Sequence, residues 1–187
     1  MLIACDGSSR KNGDPKTAIG WAWAREDGAW MFNGMIGGSN NRAELHAILS
    51  ILALHPRGEL TVQMDSQYAL NIVDKWAFGW EKKGWVKADK KPILNLDLVK
   101  EITALRHKRR DPIKFVWVKA HQKNSPPLNI RADELAGLAG KRAEAEGPDF
   151  PGMTYFDSKG RETVESEVIL FDRLYGNRPL TAEKRLA

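Results

Sequence analysis

Two short apolar segments of this sequence each end in an aspartate, and that arrangement limits the folds open to the chain. Residues 2–5 lead into Asp6, and residues 60–64 lead into Asp65. Both segments have the composition of β-strands, and a helical segment that carries Glu44 lies between them. Strands of this kind, placed side by side, would gather their carboxylates at one edge of a sheet. Like charges brought close raise the free energy unless protons or cations neutralise them, so the pattern predicts a site for divalent metal ions.

The order of the predicted elements indicates an α/β protein with one mixed sheet. Asp27-Gly28 is a strong hairpin signal between two apolar segments, so the first three strands would be antiparallel. In chain order the elements are strands at 2–7, 17–26 and 29–37, a helix from Asn41 to just before Pro56, a strand at about 59–65, a helix from near Ser66, irregular chain at 76–92, a helix at 94–108, a strand at 113–118 and a helix at about 130–145. The predicted fold is therefore a mixed five-stranded sheet, three antiparallel strands then two parallel ones, with helices on both faces.

The composition is that of a soluble globular domain. The chain has 187 residues, of which 42% are hydrophobic and 28% charged, enough to bury a sizeable core. No apolar stretch reaches the roughly 20 residues of a membrane span, and the apolar start is too short for a signal peptide. The single cysteine, Cys5, cannot form an internal disulfide and is expected as a small buried side chain in a reducing compartment. These features predict a cytoplasmic protein, and we expect a monomer.

Positive charge is concentrated in one part of the chain. The net charge is +5, and residues 75–91 alone carry six lysines against Glu81 and Asp89. A second basic cluster follows at residues 106–110. Clustered positive charge favours a polyanionic partner such as a nucleic acid. Lysines that only keep a helix face solvated would produce the same pattern.

Five polar motifs lie in separate segments of the chain. They are Cys5-Asp6-Gly7-Ser8, Asn40-Asn41-Arg42-Ala43-Glu44-Leu45, Met64-Asp65-Ser66-Gln67-Tyr68, Trp117-Val118-Lys119-Ala120-His121 and Ala132-Asp133-Glu134-Leu135-Ala136. Their order and spacing resemble those of type 1 ribonuclease H over roughly residues 1–140. The lysine-rich residues 82–92 are similar to the basic protrusion, or handle, of that family. Each motif alone is weak, but five in order are specific.

The resemblance implies hydrolysis of the RNA strand of RNA–DNA hybrids at two divalent metal ions, leaving 5′-phosphate and 3′-hydroxyl ends. The residues implied as ligands of the ions are Asp6, Glu44, Asp65 and Asp133. His121 would act as a proton shuttle that assists departure of the product. Mg²⁺ is the expected ion and Mn²⁺ an alternative, because both accept oxygen ligands. Two cations about 3.5–4 Å apart can deprotonate a water and stabilise the leaving oxygen in one displacement.

By the same resemblance, polar side chains would contact the hybrid, which is the implied partner. The matching residues outside the handle are Asn12, Ser39, Asn40, Asn41 and Gln67. Those in the handle are Lys82, Lys83, Trp85, Lys87 and Lys90, and the lysines would give salt-dependent affinity for phosphates. The handle tryptophans Trp76, Trp80 and Trp85 fit stacking on bases as well as packing within the handle, and packing is the preferred interpretation.

The resemblance also divides the chain. Gly147-Pro148 and Pro151-Gly152 mark a boundary shortly after the last motif. We therefore predict a catalytic domain at residues 1–146, with the handle at about 76–92, and a C-terminal extension at 147–187. The extension contains one predicted strand, at residues 163–171. Its role is open: it fits an added strand and helix, a contact with another chain, or a mobile tail.

Each carboxylate also has a structural interpretation. Glu44 lies three residues after Asn41 and fits a capping box. Asp65 could cap the helix that follows it, and Asp133 could lie in the first turn of the last helix, where the helix dipole favours an anion. Asp6 could be a turn residue. None of these interpretations explains why all four fit the pattern of one family.

Three other functions remain open on the sequence. One is a hybrid-binding protein without catalysis, one is an enzyme of the same fold that cuts or joins DNA, and one is a purely structural domain. The full set of carboxylates argues against the first and the third. The basic handle and the Asn40-Asn41 pair argue against the second.

Overall fold

The computed structural model of this chain describes residues 1–120, 122, 124–147 and 154–164. Its strands are β1 Leu2–Ser9, β2 Ala18–Arg25, β3 Trp30–Ile36, β4 Leu60–Met64, β5 Ile113–Trp117, β6 Thr154–Phe156 and β7 Glu162–Val164. Its helices are α1 Asn40–Leu54, α2 Gln67–Asn71, α3 Ala77–Lys82, α4 Leu96–Lys108 and α5 Pro127–Glu146, with a π-helical turn Ile72–Trp76 between α2 and α3.

The strands form one mixed sheet with the order β5-β4-β1-β2-β3-β6-β7. β1, β2 and β3 pair in antiparallel fashion. β4 lies parallel to β1, and β5 lies parallel to β4. The predicted fold class, with three antiparallel strands followed by two parallel ones, is therefore confirmed.

The number of strands is a correction, because the sheet has seven strands and not five. β6 and β7 come from the C-terminal extension and form a hairpin that pairs with β3, with Trp30 opposite Phe156. Each of the two strands has only three residues, too few to show the alternation by which strands are recognised. The strand predicted at 163–171 overlaps the end of β7, and its residues after 164 lie outside the described part of the chain.

Helices cover both faces of the sheet because successive residues of β2 point to opposite sides. Trp21 and Trp23 belong to a large buried cluster that includes side chains of α1 and α4. Ala22 and Ala24 belong to a smaller cluster with Leu135 of α5. Consequently α1 and α4 lie on one face and α5 lies on the other, which confirms the prediction of helices on both faces.

Two predicted boundaries near the acidic residues are wrong. β1 extends to Ser9 and does not end at residue 7 as predicted. Asp6 therefore lies within the strand, opposite Ala22, and its alternative interpretation as a turn residue is wrong. α5 begins at Pro127 and not near residue 130, which places Asp133 in the second turn of the helix and not in the first. Proline is favourable at the first helical position because an N–H there would have no partner within the helix.

The handle is more helical than predicted. Helical structure passes from α2 through the π-helical turn, where the Ala77 N–H donates to the Ile72 carbonyl, and continues in α3 to Lys82. The predicted irregular chain is found only beyond α3. There, Trp85 and Lys90 have left-handed backbone, with φ of 65° and 58°.

Two expectations drawn from composition concern the interior and the membrane. Cys5 is a free, fully buried cysteine, as predicted. Within the described residues, no helix combines the length and apolar character needed to cross a membrane.

Candidate active site

Three of the predicted metal-ligating carboxylates converge. Asp6 lies in β1, Glu44 lies in α1, and Asp65 follows the last residue of β4. Each offers one oxygen, and the three oxygens lie within 4.8 Å of one another. Asp6 is only 5% exposed and Glu44 only 2%. Residues far apart in the sequence therefore share one small site.

The strand register explains how the two aspartates meet. β1 and β4 run parallel with Ala4 opposite Gln63. Asp6 and Asp65 lie two residues further along their chains, at equivalent positions, and residues two apart point to the same face. The pattern of two strands that each lead to an aspartate thus produces the predicted cluster.

Asp133 adjoins this cluster through Asp6. Asp6 lies opposite Ala22, whose side chain belongs to the cluster packed against α5, and α5 carries Asp133. Asp133 lies close enough to Asp6 for its charge to raise the pKa of the Asp6 carboxyl group. All four predicted ligands are therefore gathered in one region.

Two glycines allow the helices that carry Glu44 and Asp133 to pack directly on the sheet. A Cβ at Gly7 would lie 2.3 Å from the backbone nitrogen of Glu44. A Cβ at Gly20 would lie 2.2 Å from the carbonyl oxygen of Ala136, in the helix that carries Asp133. Gly7 belongs to a motif noted in the sequence, but its packing role was not predicted.

Burial and mutual repulsion make these carboxyl groups hard to ionise without a cation. Burial, followed by the charges of Asp65 and Asp133, raises the pKa of Asp6 to about 8. Burial also raises the pKa of Glu44 well above its usual value, and the charges of Asp6 and Asp65 add to the effect. Among the described residues, Oε2 of Glu44 is buried with no hydrogen-bond partner. A buried acceptor crowded by like charges fits an oxygen-ligated divalent cation.

The interpretation of Glu44 and Asp65 as helix-capping residues is wrong. The N-cap of α1 is Ser39, whose hydroxyl accepts the Arg42 N–H at 3.3 Å. A capping box requires Glu or Gln three residues after the N-cap, and that position is occupied by Arg42 and not by Glu44. The N-cap of α2 is Ser66, whose hydroxyl accepts a backbone N–H from the first turn. The two acidic residues are therefore not explained by helix capping.

Trp117, at the end of β5, contacts the chain at Asp65. Its indole Nε1–H donates to the Asp65 carbonyl oxygen at 2.9 Å, while the residue remains 43% exposed. The sequence placed Trp117 within a motif without giving it a role. The residue type gave one indication of such a role, because the indole N–H of tryptophan is a hydrogen-bond donor on an otherwise apolar ring.

The predicted polar contacts lie around the start of α1 and α2. The Asn12 side chain accepts the Asn40 N–H at 2.9 Å, and Ser39 caps α1, so both residues support the helix start. Asn40 and Asn41 are the first two residues of α1 and are partly exposed. Gln67 begins α2 and is exposed.

The handle presents exposed lysines on a packed aromatic base. Lys82, Lys83 and Lys90 are exposed, and the Lys87 ammonium lies 6.0 Å from the centre of the Trp80 ring. Trp85 packs against the main hydrophobic core, with the Lys100 ammonium 5.6 Å from its ring. The structure thus places Trp80 and Trp85 in packing contacts. Trp76 is 40% exposed, and its ring lies 5.8 Å from that of Trp80.

His121 lies outside the described residues. Its described neighbours Ala120 and Gln122 line a cavity of about 140 Å³. The other lining residues are Ser125, Asn129, Ile130 and Asp133. Asn129 is 2% exposed, and its Nδ2 has no hydrogen-bond partner among the described residues. Sequence analysis missed Asn129, although its spacing of four residues before Asp133 places both on one helix face.

Comparison with known proteins gives the same family throughout. A family model described as RNase H matches residues 1–141 of this chain. The ribonuclease H of Tropheryma whipplei (strain Twist) is 36% identical over 154 residues, which cover 81% of this chain and 91% of that protein. The ribonuclease HI of Streptomyces coelicolor is 39% identical over 152 residues, which cover 78% of this chain and 64% of that protein.

Solved structures share the fold. LC9-RNase H1, a type 1 RNase H with the type 2 active-site motif, aligns with a TM-score of 0.62 at 23% identity, covering 75% of this chain and 72% of that one. A foamy viral protease-reverse transcriptase in complex with an RNA/DNA hybrid aligns with a TM-score of 0.59 at 20% identity, covering 74% of this chain and 20% of that one. At these identities the likeness concerns the fold alone.

Proposed function

This chain belongs to the ribonuclease H family, and we propose that it hydrolyses the RNA strand of RNA–DNA hybrids by two-metal-ion catalysis. Membership of the family makes it an endoribonuclease that acts on such hybrids. The proposed reaction leaves 5′-phosphate and 3′-hydroxyl ends. We assign it to the catalytic domain at residues 1–146, in a monomeric cytoplasmic protein.

The convergence of Asp6, Glu44 and Asp65 carries this proposal. Three carboxylate oxygens within 4.8 Å of one another match the oxygen ligands that Mg²⁺ prefers. We assign these residues and Asp133 as the ligands, with Mg²⁺ as the ion and Mn²⁺ as an alternative. When bound, two such ions would supply an activated water and stabilise charge on the leaving 3′ oxygen.

The contribution of the chain itself is a fixed arrangement of negative charge. Asp6 and Glu44 are buried on regular elements, so their carboxylates need little reorganisation during the reaction. Asp65 and Asp133 are only partly buried, which leaves their side of the site open to the phosphate backbone of the hybrid. Burial on one side and access on the other suit a reaction on a long polymer.

We assign proton transfer to His121. Its described neighbours Ala120 and Gln122 line the same cavity as Asp133. Imidazole changes its charge near neutral pH and can therefore donate or accept a proton during departure of the product.

Hybrid binding is assigned to two surfaces. Asn40, Asn41 and Gln67 present amide groups at the starts of α1 and α2, where they can contact the 2′-hydroxyl groups that distinguish RNA from DNA. Asn12 and Ser39 each use one acceptor within the protein, and their donor groups stay available for substrate. The handle supplies the second surface. Its assigned residues are Lys82, Lys83, Lys87 and Lys90. Trp85, which packs against the hydrophobic core, supports this surface from below.

Digestion of a labelled RNA–DNA hybrid with and without divalent ions tests the function. We expect the RNA strand alone to be cut, only when Mg²⁺ or Mn²⁺ is present, with 5′-phosphate ends on the products. Duplex DNA and duplex RNA, incubated in parallel, should remain intact. Cleavage in the presence of a chelator, or cleavage of duplex DNA at a similar rate, would contradict the proposal.

Asp65→Asn tests the assignment of the ligands. The change keeps the size of the side chain and removes one ligand charge, so the fold should persist. The rate of hydrolysis should fall at least about 100-fold, because loss of a ligand charge costs more than loss of a residue that only supports a ligand. Steady-state cleavage and thermal unfolding measure the two effects. Asp74→Asn, the same change at an exposed residue of the π-helical turn, is the control and should behave as wild type. Wild-type turnover in Asp65→Asn would refute the metal assignment.

A further inference from the structure

We propose that Trp117 is a positioning residue that holds Asp65 in its metal-binding arrangement through the backbone. This inference rests on the proposed role of Asp65 as a metal ligand. It concerns a hydrogen bond at the point where β4 ends and α2 begins.

Asp65 lies between two systems of backbone hydrogen bonds. The bonding between β4 and the chain after β5 ends just before it, where the Val118 N–H donates to the Met64 carbonyl at 2.9 Å. Helical bonding begins just after it, where the Leu70 N–H donates to the Ser66 carbonyl at 3.0 Å. The Asp65 carbonyl lies between these two acceptors and takes the indole N–H at 2.9 Å. A side chain of β5 thus extends the hydrogen bonding of the sheet by one residue, to the residue that carries the ligand.

Fixing this carbonyl orients the carboxylate. The indole holds the peptide group that follows Asp65, and the Ser66 hydroxyl holds the next turn by accepting the Ala69 N–H at 3.2 Å. The direction of a side chain follows from its backbone dihedrals, so a fixed peptide limits where the Asp65 carboxylate can point. Asp65 is the least buried of the three clustered carboxylates, and repulsion from Asp6 and Glu44 would favour its rotation towards solvent.

The exposure of Trp117 supports a role beyond packing. An indole ring on a residue 43% exposed gains only part of the stabilisation that burial offers. Its hydrogen bond nevertheless fixes the ring at the end of an otherwise regular strand. If the ring were instead a stacking surface for bases, its replacement by another aromatic ring would change the affinity for the hybrid and leave the affinity for metal ions unchanged.

Trp117→Phe separates these roles because it removes the N–H and keeps an aromatic ring. Without substrate, binding of Mn²⁺ measured by calorimetry should weaken about threefold to tenfold, the effect expected when one supporting hydrogen bond is removed. The Mg²⁺ concentration for half-maximal cleavage should rise by a similar factor, and kcat at saturating Mg²⁺ should approach the wild-type value. Trp30→Phe is the matched control, since Trp30 lies on β3 and stacks on Phe156 at 4.0 Å. It should bind Mn²⁺ as wild type does.

A double-mutant cycle with Asp65→Asn shows whether Trp117 acts through Asp65. If it does, adding Trp117→Phe to Asp65→Asn should cause no further loss of Mn²⁺ affinity. A further loss as large as in the wild-type background would overturn the inference, and so would a Trp117→Phe variant that only melts earlier or only raises KM. Equal Mn²⁺ binding by wild type and Trp117→Phe would overturn it while leaving the proposed function intact. A wild-type protein that binds no Mn²⁺ would refute the metal centre itself.

Discussion

Glu44 enters the cluster of carboxylates because the residue facing its backbone has no side chain. The Glu44 nitrogen lies where a Cβ on Gly7 would be only 2.3 Å away. This close approach lets α1 rest on β1 and brings the glutamate within 4.8 Å of Asp6 and Asp65. Packing and the position of the Glu44 carboxylate are thus coupled at Gly7.

Gly7→Ala should therefore lower both stability and activity. The added methyl would meet the main chain of α1 and not a movable side chain, so we expect a loss of about 1–3 kcal/mol in unfolding free energy. A displacement of the ligand by about 1 Å should lower kcat/KM about 100-fold. Denaturant unfolding and hybrid cleavage measure the two effects.

Gly137→Ala provides the control for that experiment. A Cβ at Gly137, on α5, has nothing within 4 Å, so the change should be neutral or slightly stabilising. If Gly7→Ala matched this control in both measurements, the close approach of α1 to β1 would not govern the site.

Among individual residues, the sequence predicted that the acidic residues converge, and it missed the contacts that support them. A carboxylate in an apolar segment is unfavourable unless it has a partner, so the motifs alone were enough to select Asp6, Glu44, Asp65 and Asp133. The roles of Gly7 and Trp117 depend on which backbone faces them across the fold. Such contacts are set by tertiary packing, which a linear pattern does not encode.

At the level of elements, long periodic segments were predictable and short or irregular ones were not. β2, β3 and α4 begin and end within two residues of their predicted positions, because apolar periodicity reports directly which face is buried. β6 and β7 are too short to show a period. The helical start of the handle was missed because a π-helical turn shifts the 3.6-residue repeat by one residue.

The handle gives a prediction at this scale. Replacing both Lys82 and Lys83 with alanine should raise KM for the hybrid several-fold and leave kcat unchanged. These exposed lysines at the end of α3 are proposed to bind phosphates, a role that is separate from the chemical step. The slope of log KM against log salt concentration should decrease by about one for each phosphate that the variant no longer binds. Steady-state kinetics over a range of salt concentrations measure both effects.

The control for the handle changes the same charge elsewhere. Lys114 and Lys141 are exposed residues of β5 and α5, and their joint replacement with alanine should leave the salt slope near that of wild type. An equal effect of the two double variants would mean that the total charge, and not the handle, attracts the hybrid.

For the molecule as a whole, stability should depend on pH in a direction set by the acidic cluster. Burial raises the pKa of Asp6 from 3.8 to about 8, and the pKa of Glu44 is raised for the same reason. Between pH 3.8 and about 8, folded Asp6 keeps a proton that the unfolded state has released. The free energy of unfolding therefore falls as pH rises through this range. Burial lowers the pKa of His46 and His55 to about 4. These histidines make the free energy of unfolding rise with pH, but only up to about pH 6.5, where histidine in the unfolded chain loses its proton.

The window from pH 6.5 to 8 therefore isolates the carboxylates. In the presence of a chelator, the melting temperature should fall across this window, and Asp6→Asn should reduce the fall. Mg²⁺ added at pH 8 should raise the melting temperature of the wild type, because ions bind the ionised carboxylates of the folded state. A melting temperature that rises with pH in the chelator would contradict this account of the site.

The family match ends at residue 141, before the hairpin that completes the sheet. In the intact chain β6 covers the main-chain edge of β3, and the Phe156 ring lies 4.0 Å from that of Trp30. A fragment trimmed to the residues that the family model matches would expose the amide and carbonyl groups of β3, and further molecules could pair with that edge as added strands. The hairpin β6–β7 thus protects an edge that the remainder of the sheet would leave open to aggregation.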